Sequence, residues 1–144
     1  MNKLLIDNNI VLDLLAKREP FYESAALLFS FADKNLVELS VSSLTFANTN
    51  YILSKLKSAN EAREILRKFR ILVKVLPLNE KIIDLALNDK LFSDFEDALH
   101  YYSAIENNHN FIITRNLRDY KNSKIPVMTA NEFIVSYNFN TSDI

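Results

Sequence analysis

The sequence predicts an α/β fold: three layers, α/β/α, around a central parallel sheet of four to five strands. Short apolar runs alternate with longer stretches of helical periodicity along the whole chain. Runs such as Leu4-Leu5-Ile6 and Phe111-Ile112-Ile113 are apolar at successive positions, as strands covered on both faces are. The helical stretches between them are long enough for right-handed crossovers, which join parallel strands.

The elements follow in order. Residues 3–6 form the first strand candidate, ending at Asp7, and Ile10, Leu14 and Leu15 then recur at helical spacing. A second helix follows Pro20 to about residue 32, and residues 37–41 form the next strand. Ser42 or Ser43 can cap a helix over 44–56, and Asn60 can cap another running through Arg70. Residues 71–76 are a β-rich run stopped by Pro77. Residues 79–88 are helical, with Ile82, Ile83, Leu85 and Ala86 on the apolar face. Ser93 caps a helix over 94–106, which Asn107-Asn108 ends. Residues 111–113 make a fully apolar strand, 126–128 a short edge strand and 130–137 a terminal helix. One domain over residues 1–137 accommodates all of this, with a flexible tail over 138–144.

Composition narrows the functional classes. A chain of 144 residues that is 49% hydrophobic suits one domain with a sizeable core. Seventeen basic against eighteen acidic residues leave a net charge of −1, so any contact with nucleic acid must come from a local patch. There is no cysteine, which excludes disulfide staples and thiolate zinc sites and suits a reducing cytoplasmic setting. There is also no glycine, so neither a dinucleotide fingerprint nor a phosphate-binding P-loop is available. Asn takes over at some turns and helix ends, because its short polar side chain tolerates left-handed backbone. The opening residues carry Asp7 and Asp13 inside their apolar stretch and read as a structural element rather than a signal peptide. No apolar run is long enough for a membrane span.

In a parallel sheet, ligands bind beyond the carboxyl ends of the strands. Asp7 follows the first strand there, in LLIDNNIVLDLL. Thr114, Arg115 and Asn116 follow the strand over 111–113, in FIITRNLRDY, with Asp119 close behind. Asp94 and Asp97 share one face of a helix start, in SDFEDALHYYSAI. Three segments therefore bring carboxylates to one end of one sheet. Packed like charges repel, and a hard dication such as Mg²⁺ or Mn²⁺ relieves that cost by taking oxygen ligands. Phosphodiester hydrolysis is the chemistry that suits such a site. Each residue also has a plainer reading. Asp94 and Asp97 suit a helix N-terminus through capping and the dipole alone, Asp7 suits a cap, and Asp119 suits a solvated loop.

Three segments resemble the PIN family, in particular its VapC-like toxin ribonuclease group, over nearly the whole chain. LLIDNNIVLDLL is similar to the family's opening strand with its first acid, Asp7, and with Asn9 as the polar residue two positions on. DFEDALHYYSAIENNHNFIITRNLRDY resembles its acidic helix start and following Thr-Arg-Asn turn: Asp97 matches the metal-binding acid, and Thr114, Asn116 and Asp119 match the closing group. SVSSLTFANTNYIL lies where the family carries its second acid. The resemblance implies a metal-dependent endoribonuclease, the toxin of a toxin–antitoxin pair, homodimeric and neutralised by a small antitoxin. Asp7, Asp97, Asp119 and Asn116 would hold Mg²⁺ or Mn²⁺, supported by Asn9, Asn48, Asp94 and Thr114.

Two positions depart from the pattern. Asn48 stands where a Glu is usual, and Asn8 where a Thr or Ser is common. An amide coordinates through its carbonyl oxygen but brings no charge and cannot act as a base. A catalytically weakened PIN domain that binds RNA or protein is therefore the alternative. A phosphoacceptor receiver domain also gathers acids at a sheet edge, but its acceptor belongs on a central strand, and here the acids sit on the first strand and a helix start.

Other features divide between function and plain structure. Arg115 borders the expected carboxylates and could bind substrate phosphate bidentately, or pair with Asp119 or Asp97. Lys55, Lys57, Arg63, Arg67, Lys68 and Arg70 read as a solvated face balanced by Glu61 and Glu64, with an RNA backbone as the functional option. His100 shares the Asp97 face and reads as a surface or satisfied core residue before a proton carrier. Phe21, Tyr22, Phe29 and Phe31 read as core, with a partner surface as the option.

Overall fold

The structure is a computed structural model that describes residues 1–142, with side chains through Asn138. Its elements run β1 (Asn2–Ile6), α1 (Asn8–Leu15), α2 (Tyr22–Asp33), β2 (Val37–Ser42), α3 (Ser43–Leu56), α4 (Ala59–Phe69), β3 (Lys74–Leu76), α5 (Glu80–Asn88), α6 (Phe95–Glu106), β4 (Phe111–Ile113), β5 (Val127–Met128) and α7 (Ala130–Ser142). A short 3-10 turn, Leu117–Tyr120, joins β4 to β5. The five strands pair in parallel in the order β3-β2-β1-β4-β5. This is the three-layer α/β/α architecture the sequence predicted.

The apolar strand runs serve two cores. Leu4, Ile6, Leu39, Val41 and Ile113 face one layer, with α1, α2, α4 and α7 packed on them. Leu5 and Ile112 face the other, against Tyr101 and Ala104 of α6. Successive side chains of a strand point to opposite faces, so a strand buried twice must be apolar at every position.

Short polar side chains set where the helices begin. Asp7 accepts from the Asn8 amide, Ser42 from Leu44, Ser58 from Glu61, Asn79 from Ile82 and Asp94 from Asp97. Two expected caps move: Ser58 replaces Asn60, and Asp94 replaces Ser93. Asn35 and Asn108 adopt φ of 59° and 55°, the left-handed backbone that glycine would otherwise supply, and Lys17 does so at 51°.

The strand expected over 71–76 shortens to Lys74–Leu76. The amides of Ile71 and Leu72 bond back to Lys68 and Phe69, finishing the turn after α4, so they cannot join the sheet. Helix α7 continues past residue 137 to Ser142. Of the tail expected over 138–144, residues 143 and 144 and the side chains from 139 onward lie outside the described residues.

Candidate active site

The strand order reverses between β1 and β4: the chain leaves β1 towards β2 on one side and leaves β4 towards β5 on the other. The crevice outside the carboxyl ends of such a pair is open. Asp7 and Thr114 are the first residues beyond these two strands and are both buried, at 5% and 0% exposure. The Asp7 amide donates to Ile113 O at 3.0 Å, extending the β1–β4 pairing by one step. The Thr114 hydroxyl donates to Asp7 Oδ2 at 2.8 Å, while Asp7 Oδ1 accepts from the Asn8 amide at 2.8 Å. Asn9 Nδ2 donates to Thr114 Oγ1 at 3.2 Å, and its Oδ1 accepts from the Arg115 amide at 3.2 Å. The Asn116 amide also donates to Thr114 Oγ1, at 3.0 Å. Asn9 and Thr114 thus hold the Asp7 carboxylate in one orientation.

Helix α6 delivers its first turn to the same place. Asp94 caps it, its Oδ1 accepting from the Asp97 amide at 3.0 Å. Asp97 is half-buried, and its carboxyl is pushed up from 3.8 to about 7, by burial first and then by repulsion from Asp7, Asp94 and Asp119. Tyr120, 1% exposed, reaches under this group and donates to Asp97 Oδ1 at 3.4 Å. Burial and the nearby Asp7 and Asp97 carboxylates hold its phenol protonated, far above the usual range.

Asn48 lies on α3, and its Nδ2 donates to Glu96 Oε1 at 2.6 Å. Asn8 Nδ2 donates to the same oxygen at 2.7 Å, and the Thr45 hydroxyl donates to Asn8 Oδ1 at 2.6 Å. The Glu96 carboxyl sits below its ordinary range because of the neighbouring His100, against the opposing effect of burial, with the Asn8 amide helping. His100 is fully buried rather than at the surface, and neither ring nitrogen finds a hydrogen-bond partner. Its Nε2 lies 3.7 Å from Glu96 Oε1 and 3.9 Å from Asp7 Oδ1. Sequence reasoning passed over Glu96, because a Glu in the first turn of a helix is already explained by the dipole.

Arg115 is engaged by neither Asp97 nor Asp119. Its Nε and Nη2 grip Asp13 at 2.8 and 3.1 Å, and its guanidinium lies 3.9 Å from the Phe21 ring centroid. Asp13 is 0% exposed and also takes Arg18 Nε at 3.1 Å. Asp13 and Arg18 gave no separate signal, since an acid inside α1 and a basic residue in the next loop resemble solvated charges. Among the other expectations, Phe29 and Phe31 are buried core and Phe21 is partly exposed beneath Arg115. Arg67 pairs with Glu64 on an exposed face, and Arg70 donates to Val73 O.

One cleft of about 410 Å³ gathers these groups, lined by Asp7, Asn8, Asn9, Asp94, Glu96, Asp97, Arg115, Asn116 and Asp119 among others. Every acid expected from the sequence is there, as is Asn116. Asn48 and Thr114 stand behind it. The donor set is carboxylate and amide oxygen without sulfur, which fits a hard dication such as Mg²⁺ or Mn²⁺. The raised Asp97 carboxyl reflects its burial first and then the negative charge of Asp7, Asp94 and Asp119 beside it. Among the described residues no three acids or histidines stand close enough to form a ready-made cage. A hard dication keeps several waters of its own, so these oxygens need not close a full cage around it.

Comparison with known proteins agrees with this fold. A curated relative, Ribonuclease VapC1 of Aquifex aeolicus, is 27% identical over 140 residues, covering 94% of this chain and 96% of its own. VapBC2 of Rickettsia felis, solved bound to a DNA fragment from its promoter, matches with a TM-score of 0.64 and 19% identity, over 88% of this chain and 96% of its own. DNA-bound VapBC of Salmonella typhimurium matches with a TM-score of 0.63 and 19% identity, over 90% and 99%. The family model for the PIN domain matches residues 3–118, which take in the sheet from β1 to β4 and every acid of the cleft except Asp119, and the chain belongs to the PIN domain family.

Proposed function

We propose that the chain is a divalent-metal-dependent endoribonuclease that hydrolyses RNA phosphodiester bonds, the toxin of a toxin–antitoxin pair. The observation that carries this reading is the convergence of Asp7, Asp97, Asp119 and Asn116 on one cleft at the sheet's switch point. These four would hold Mg²⁺ or Mn²⁺, which when bound supplies Lewis acidity and charge neutralisation to the scissile phosphate. The protein's own part is orientation. Thr114 and Asn9 hold Asp7, Asp94 holds the start of α6, and Tyr120 supports Asp97 from below. In the reaction, water oxygen bonds to phosphorus, a bridging P–O bond breaks and the leaving oxygen is protonated. Arg115, kept in place by Asp13, faces the substrate phosphates from the cleft wall.

The kinship to a ribonuclease and to VapBC assemblies supports a small protein antitoxin as partner. Exposed Tyr51, Ile52 and Leu56 on α3 offer apolar surface for it or for a homodimer contact. No helix among the described residues is long and apolar enough to cross a membrane, and we place the activity in the cytoplasm.

The test is Asp97→Asn, which keeps the shape and the acceptor for Tyr120. It is expected to abolish Mn²⁺-dependent RNA cleavage while the circular dichroism spectrum stays that of the wild type; retained cleavage would reject this site. Asn8 and Asn48, amides beside the acids, favour a second reading as an RNA- or protein-binding module. Under that reading, Mn²⁺ titration gives RNA binding with no cleavage.

A further inference from the structure

Two amides from two different helices converge on Glu96, a side chain that a plain surface role would leave free. Asn8 of α1 and Asn48 of α3 donate to the same oxygen, Oε1, at 2.7 and 2.6 Å. The orientation of the Asn8 amide is fixed from behind. A carboxylate only accepts, so the NH₂ must face Glu96 and Asn8 Oδ1 must take the Thr45 hydroxyl, as it does at 2.6 Å. Holding a side chain that is 44% exposed costs rotamer freedom, and charge-assisted bonds offset that cost. Capping and the helix dipole need none of this, because any acid in the first turn serves them.

The way the carboxylate is held matters. Both amides use Oε1, and among the described residues Oε2 accepts no hydrogen bond. Beneath it, the fully buried His100 ring stands with Nε2 3.7 Å from Glu96 Oε1 and 3.9 Å from Asp7 Oδ1, both nitrogens without a partner. The two carboxylates therefore flank one imidazole and line one cleft with Asp97 and Asp119. Position 48, where the family resemblance leads one to expect an acid, carries the amide that grips Glu96.

We infer that Glu96 supplies from α6 the carboxylate that α3 lacks, as a further acidic oxygen donor toward the divalent cation, and that Asn48 and Asn8 are positioning residues that hold it there. The inference rests on the nuclease reading of the cleft. It explains how the site keeps its negative charge although residue 48 is neutral.

The experiment is calorimetric titration of Mn²⁺ into the wild type, Glu96→Gln, Asn48→Ala and the double variant Asn48→Glu/Glu96→Gln, with RNA cleavage and metal-free melting followed in parallel. Glu96→Gln is expected to weaken Mn²⁺ binding roughly ten- to a hundredfold, with cleavage recovering at high Mn²⁺ and the metal-free melting point held. Asn48→Ala keeps the charge but loosens its grip, and is expected to weaken binding less. The double variant returns a carboxylate from the α3 side of the same hydrogen bond and is expected to regain most of the affinity. Wild-type affinity in Glu96→Gln, with the wild type binding and cleaving, overturns the Glu96 assignment alone. A wild type that neither binds Mn²⁺ nor cleaves overturns the nuclease reading and this inference with it.

Discussion

Replacing Asp97 by Asn should stabilise the metal-free protein, and increasingly so as pH rises above the ordinary carboxyl value of 3.8. The Asp97 carboxyl is raised from 3.8 to about 7 by burial and by Asp7, Asp94 and Asp119. A raised carboxylic acid contributes stability that is fully present below its unfolded value, while it is protonated. That contribution is lost progressively as pH rises from 3.8 through about 7, above which the fold carries the full charge. Each tenfold change in proton affinity is worth about 1.4 kcal/mol, so the displacement would amount to roughly 4 kcal/mol in a sealed interior. Asp97 is half-exposed, and solvent screening reduces this to about 1–2 kcal/mol. For a domain of this size that corresponds to roughly 3–8 °C in melting temperature. Asn is neutral throughout and keeps an oxygen for the Tyr120 hydroxyl. Fluorimetric melts in EDTA should therefore show Asp97→Asn above the wild type at pH 8 and the two nearly equal only at about pH 3.5, below the ordinary carboxyl value of 3.8. Added Mn²⁺ at pH 8 should raise the wild type and leave the variant almost unmoved. Equal effects of the substitution at both pH values would refute the electrostatic account of the cleft.

Two further outcomes follow from the supports of the site. Asp13→Ala removes the one carboxylate that holds both Arg18 and Arg115; because both arginines keep some access to water, urea denaturation should show a loss of about 2–3 kcal/mol, at or below the range for buried pairs. Thr114→Val removes the donor to Asp7 Oδ2 in a fully buried position; it should cost about 1–3 kcal/mol of stability and lower cleavage even at saturating Mn²⁺, measured by denaturation and by initial rates.

The layers and the site's main acids were legible in the linear chain for a definite reason. Strands buried on both faces must be apolar at successive positions, so β1 and β4 announced themselves, and Asp7 directly after the first and the Thr114–Asp119 stretch after the second could only lie at the sheet's carboxyl edge. Asp7, Asp97, Asp119 and Asn116 followed from that rule together with family likeness. The short extent of β3 was hidden, because Ile71 and Leu72 are as apolar as strand residues while their amides belong to the turn after α4. Caps were ambiguous wherever two short polar residues stood close together, as at Ser93-Asp94.

What the chain by itself determined was the order of elements, the two-sided sheet and which strand ends carry charge, all consequences of local periodicity and burial. Tertiary structure decided the partnerships. Asn48 reads as a lost acid until the fold sets its amide 2.6 Å from Glu96, and Arg115 reads as a phosphate clamp or a partner of Asp119 or Asp97 until α1 brings buried Asp13 to within 2.8 Å of it. Such pairs span distances in sequence over which no local pattern is correlated, and hydrogen bonds depend on placement to a fraction of an ångström, so only the packed fold could fix them.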